Sequence, residues 1–147
     1  MMKKLSHILR CYPLSCLLIA VIWVLCFCTP PSTPLDDVAY MDKWTHIVMY
    51  LGTCTVICIE YIRRHRHVRI AHMALWAWLA PIVMSGVIEL LQAYCTGGRR
   101  SGEWMDFAAN STGATIGLAI GILLAMWRAR GNKADGAGGN CRNDGRQ

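Results

Sequence analysis

Charge is scarce in this sequence: 16% of its 147 residues are Asp, Glu, Lys or Arg, where a soluble domain usually carries about a quarter. The little charge present is also unevenly placed. Apolar residues make up 54% of the chain and stand in long blocks, with the charges between the blocks. Cys54 and Cys58 stand one helical turn apart, but they lie within an apolar block and are not read as half of a zinc site, so the small metal-stapled folds are set aside. No nucleophile elbow and no phosphate-binding glycine loop is present either. A small-x-small cleavage site is missing after the first apolar run, so that run reads as an uncleaved helix rather than a signal peptide.

What is there is membrane-like. Mean hydropathy is +0.33. Four blocks reach the roughly 20 helical residues that a bilayer's hydrocarbon core requires: Cys11 to Cys28, Trp44 to Ile62, Ala71 to Tyr94 and Asp106 to Trp127. The fold class expected is therefore all-α, a polytopic membrane protein with four transmembrane helices. Residues 1–10 form a cytoplasmic tail, 11–130 the membrane domain, and the Gly- and Asn-rich segment 131–147 reads as a disordered cytoplasmic tail.

The net charge of +6 would suit nucleic acid if it were gathered on one surface. It is instead sorted by loop. Lys3, Lys4 and Arg10 precede the first block; Arg63, Arg64, Arg66 and Arg69 fill the loop between the second and third; Arg128, Arg130, Lys133, Arg142 and Arg146 follow the fourth. The alternate segments hold Lys43, Arg99 and Arg100. Because cytoplasmic loops are enriched in Lys and Arg, this asymmetry predicts both termini inside, with weak attraction to anionic headgroups as a by-product. The partner implied is the lipid bilayer, not nucleic acid.

The eight cysteines resemble a disulfide framework only until they are placed. Cys11, Cys16, Cys26, Cys28, Cys54 and Cys58 fall within or at the edges of apolar blocks, where Cys behaves as a small apolar residue. Cys95 and Cys141 fall on opposite sides of the membrane in this topology. Neither a structural disulfide, nor a metal site, nor a cofactor is expected. Pro81 lies inside the third block and predicts a kink there. Ala109, Gly113, Gly117, Gly121 and Ala125 recur every four residues in the fourth, a stripe of small residues on which another helix can lie closely. Internal packing is the favoured occupant, and a homodimer through Gly113, Gly117 and Gly121 the alternative.

The polar residues within the blocks gather at one end. Asp42, His46 and Tyr50 are spaced four apart, beside Lys43. Glu89 and Gln92 occupy the last turns of the third helix, and Asp106 and Asn110 the first turns of the fourth, with Arg99 and Arg100 in the loop between. By the predicted topology this is the outer face. Asp42 and Asp106 could be plain helix starts favoured by the helix dipole, and His46 a packing residue. Glu89 is harder to explain so, because an ionised carboxylate costs roughly 2.5–3.5 kcal/mol at mid-membrane and less near the interface. It should face the bundle and either pair with a cation such as Arg99 or Lys43 or stay protonated.

The pattern Asp42-Lys43-x-x-His46-x-x-x-Tyr50, then Glu89-x-x-Gln92, then Arg99 or Arg100, then Asp106-x-x-x-Asn110-x-x-Gly113-x-x-x-Gly117 resembles the VanZ-like membrane protein family. The resemblance covers roughly Tyr40 to Met126; the first helix and the tail carry no motif, and the spacing to Asp106 favours Arg100 as the family's arginine. It implies a bacterial protein of the cytoplasmic membrane, in a family named for a protein linked to low-level resistance to the glycopeptide teicoplanin and without an established biochemical mechanism.

Three functions are compatible with the residues. The cluster could bind an anionic envelope component, such as a lipid-linked precursor, phosphate or carboxylate, with Lys43, Arg99 or Arg100 on the anion and the acidic residues orienting them. It could be an enzyme acting on an envelope lipid or cell-wall precursor, with His46 as general acid or base and Asp42 or Asp106 beside it. It could carry an ion or proton on Glu89, although the inner half of the helices offers no continuing polar path.

Overall fold

The computed structural model describes residues 2–27, 41–95 and 104–140, with side chains for 7–27, 41–94 and 104–131. Cys28, the three prolines at 30, 31 and 34, the loop carrying Arg99 and Arg100, and Cys141 lie outside the described residues. The regular elements among the described residues are all helices. The elements are α1 (Met2–Cys11), α2 (Pro13–Phe27), α3 (Met41–Arg64), α4 (Ile70–Ala74), a π-helical turn (Leu75–Leu79), α5 (Ala80–Cys95) and α6 (Trp104–Asn140).

Among the described residues, three stretches are long and apolar enough to cross a membrane: Met41–Arg64, Ile70–Tyr94 and Trp104–Gly131. α2 is apolar, but its 15 residues rise only about 22 Å, short of a hydrocarbon core of about 30 Å. The exposed aromatics agree with a membrane setting. Trp44, Tyr94 and Trp104 stand out from the bundle near one end and Trp127 near the other. Along α6, Trp104 and Trp127 are separated by about 34 Å of helix, the spacing of two interfacial aromatic belts.

The basic N-terminal tail is itself a helix, α1, joined to α2 at Tyr12 with little break. Pro13 lacks an N–H and suits a first helical position, while Tyr12 N–H donates to Ile8 O at 2.8 Å and Cys16 N–H to Tyr12 O at 3.0 Å. α6 continues past Gly131 to Asn140, into the segment whose composition reads as disordered. A helix already nucleated gains one hydrogen bond for each residue it adds, so propagation is cheap where nucleation is not.

The small-residue stripe determines the packing. α3 and α6 run parallel, with Cys54 against Gly117 and Cys58 against Gly121. A Cβ at Gly117 would stand 2.8 Å from both Leu51 O and Cys54 Cβ, and one at Gly113 would collide with Ile47 O. α3 thus occupies the stripe within one chain. Lipid tails are as apolar as the side chains, so close van der Waals contact along such a stripe is what holds the pair together. α5 runs antiparallel to both helices, and α2 antiparallel to α3, giving four apolar helices of alternating direction.

Pro81 does not produce a simple kink. The turn before it opens into a π turn in which Ala80 N–H reaches back five residues to Leu75 O. The extra residue absorbs the missing donor of Pro81 and the clash of its ring with the preceding turn. Trp78, on that turn, donates its indole N–H to Thr115 Oγ1 at 3.0 Å, tying the turn to α6.

The basic end is more than flanking charge. Glu60 accepts the N–H groups of Leu14 and Ser15, each at 3.1 Å, and the Ser15 hydroxyl. It places a carboxylate on the unsatisfied donors at the start of α2. Arg64 donates to Cys11 O at 3.1 Å and Arg10 O at 3.0 Å, and Arg128 donates to Ile62 O, each serving carbonyls near a helix C-terminus.

Candidate functional site

Because α3 and α6 are parallel, their N-termini lie side by side, and each carries an acidic residue in its first turn, Asp42 and Asp106. Two helix N-termini contribute about half a positive charge each, so the carboxylates complement the field that the parallel pair creates. Lys43 completes the arrangement. Its ammonium pairs with Asp106 Oδ1 and stands 3.8 Å from Asp42 Oδ2.

One turn deeper, His46 is buried between the two helices. Its Nδ1 lies 3.0 Å from Asn110 Oδ1. The Asn110 amide nitrogen donates to Ser85 Oγ on α5 at 2.7 Å. That orientation leaves the amide oxygen facing the imidazole, so Nδ1 must carry the hydrogen. Nε2 is the nitrogen turned away from Asn110, without a hydrogen bond of its own but within ion-pair range of Asp42 Oδ1 at 3.8 Å and Asp106 Oδ2 at 3.9 Å. Three helices fix one imidazole, with its open nitrogen turned towards the end of the bundle. Tyr50 continues the face inward, buried, its hydroxyl making no hydrogen bond of good geometry. Beyond it the α3–α6 seam is Cys54 and Cys58 against glycine.

The structure thus brings together Asp42, Lys43, His46, Asp106 and Asn110, with Tyr50 beneath. Gln92 is directed elsewhere: it is buried and donates to Cys26 O at 2.7 Å, tying α5 to the end of α2. Glu89 is half-buried and lines a cavity of about 330 Å³ with Gly86, Leu90, Tyr94, Trp104 and Phe107, between α5 and α6. Arg99 and Arg100 lie outside the described residues.

Ser85 is the residue that sequence reasoning missed. Its signal was available, since it stands four before Glu89 and seven before Gln92, on the polar face of an otherwise apolar helix. A second omission is the grouping of ligand atoms. Asp42, His46 and Asp106 each offer one atom within 4.8 Å of the others, a set able to hold a metal ion. The reading that set metals aside rested on cysteine spacing, whereas these residues come from two helices. The Lys43 ammonium already engages both carboxylates of that set.

No protein-family model, curated protein or solved structure matches the chain. The residues themselves carry the functional argument.

Proposed function

We propose that this chain is a four-span, VanZ-like protein of the bacterial cytoplasmic membrane, with both termini inside, whose His46 cluster binds the polar group of an anionic envelope component. The observation that carries this reading is the His46 imidazole, held by Asn110 and Ser85 so that Nε2 is left for something other than packing. The alternating direction of α2, α3, α5 and α6 supports the fourth span, with α2 as its described part, and the distribution of Lys and Arg supports the orientation.

Lys43 is committed to Asp106, and the two carboxylates of Asp42 and Asp106 outnumber that one ammonium, so an anion needs cationic groups from beyond the cluster. Arg99 and Arg100, in the segment joining α5 to α6, supply the cationic excess in this reading. A lipid-linked precursor with a phosphate or peptide carboxylate has the required chemistry and the required location at the outer face. Susceptibility to a glycopeptide such as teicoplanin would then follow from an altered supply or exposure of that precursor.

The oriented histidine also favours a second reading, an enzyme acting on the same class of molecule. An imidazole with Nδ1 fixed by Asn110 and two carboxylates near Nε2 has the geometry of a general acid or base.

Native mass spectrometry of protein gently extracted from its own membrane tests the binding reading. Wild type should carry an anionic lipid or precursor that Lys43→Met/Arg99→Ala/Arg100→Ala loses. The same bound species in both proteins, or none in either, would refute it. Turnover of the captured species by wild type and not by His46→Ala would select the enzyme.

A further inference from the structure

The opposite end of the bundle holds a second cavity. It measures about 470 Å³ and lies between the α3–α4 loop and the later turns of α6, lined by Arg66, His67, Val68, Ile70, Met126 and Arg128 among others. Its chemistry is divided: basic groups stand with apolar side chains, and no carboxylate lines it. Among the residues whose side chains are described, Glu60 is the acidic one at this end, and its carboxylate is taken by the start of α2. Arg66 and His67 make no hydrogen bond or ion pair among the described residues. Arg128 spends one N–H group on Ile62 O and keeps the rest of its five donors.

Two arginines lining one cavity with no carboxylate in its lining, at the depth where apolar spans end, call for an external anion that also has an apolar part. We propose that this cavity binds the phosphate of an anionic glycerophospholipid, with Arg66 and Arg128 on the phosphate and its acyl chain along Val68, Ile70 and Met126. Arginine's planar fork suits a phosphate, and basic pockets between helices at membrane depth take anionic headgroups in this way. The site is separate from the His46 cluster and does not depend on what that cluster binds.

The test places the full chain in nanodiscs containing equal phosphatidylglycerol and phosphatidylcholine and counts retained lipids by native mass spectrometry. Wild type should retain phosphatidylglycerol preferentially. Arg66→Gln should lower that retention about fivefold, the weight of one basic residue at an anionic surface. Ala129→Phe keeps every charge and fills the cavity, so it should lower retention as much. Arg63→Gln removes an exposed charge that does not line the cavity and should leave retention unchanged. Equal losses for Arg63→Gln and Arg66→Gln, with no loss for Ala129→Phe, would mean diffuse surface attraction and would overturn the site. Displacement of the lipid by millimolar inorganic phosphate would overturn the lipid assignment, leaving a site for free phosphate.

Discussion

Removing the Asn110 amide is the sharpest perturbation of the cluster, because one side chain satisfies two buried partners on different helices. Asn110→Ala leaves the Nδ1–H of His46 without its acceptor and Ser85 without its donor, and all three residues are buried. A buried polar group stripped of its partner costs about 1–3 kcal/mol. Interhelical hydrogen bonds within membranes average nearer 0.6 kcal/mol, since the unfolded state in lipid also finds partners. Two contacts of this kind put the loss at about 1–3 kcal/mol in total. The more telling quantity is the coupling between His46 and Asn110. In a double-mutant cycle of unfolding in detergent, comparing His46→Ala, Asn110→Ala and the double variant, the two changes should fail to add by about 0.6–1.7 kcal/mol. Ser85→Ala should couple to Asn110→Ala in the same sense and more weakly to His46→Ala, because Ser85 meets the imidazole through Asn110. Additive effects throughout would mean that the hydrogen-bonded relay does not exist and that nothing fixes the nitrogen assignment of His46.

Other perturbations test the frame that positions the cluster. Gly117→Val should push α3 away from α6 and destabilise the bundle by about 1–3 kcal/mol, the range for overpacking, measured by unfolding in detergent; an unchanged midpoint would refute the close contact at Leu51 and Cys54. Glu60→Ala should release the start of α2 and cost about 1–3 kcal/mol, with faster maleimide labelling of Cys16 as the local readout. Lys43→Met should free the carboxylates of Asp42 and Asp106 and, with His46, create measurable Zn²⁺ uptake by calorimetry where wild type has less; equal uptake by both would show that the ammonium does not close the set.

The helical class and most of the helix positions were legible in the sequence because a bilayer admits few alternatives: an apolar run of the right length must be a helix. The polar end was legible as well, since Asp42 and His46 share a helix face by their spacing of four, and Asp106 and Asn110 share another. What the spacing could not supply was partnership between helices. Glu89 and Gln92 look alike in sequence, yet one lines an α5–α6 cavity and the other binds the end of α2. The same limit hid Glu60, an acidic residue among basic neighbours, whose value lies in the backbone of a helix forty-five positions earlier. The cluster of Asp42, His46 and Asp106 likewise needed the parallel register of α3 and α6, and the Gly113–Gly121 stripe sets that register without naming the partner.

The central claim is that Nε2 of His46 is kept open for a ligand, and its nitrogen spectrum tests this most directly. The protein would be labelled with ¹⁵N-histidine, with His46 assigned by comparison with His46→Gln, and placed in discs of phosphatidylcholine alone or with added lipid extract from its own membrane. The account predicts that Nδ1 resonates as a protonated nitrogen in both samples, while the Nε2 resonance moves when the extract is present. Identical His46 spectra in the two samples, or a proton on Nε2 with Nδ1 bare, would contradict it.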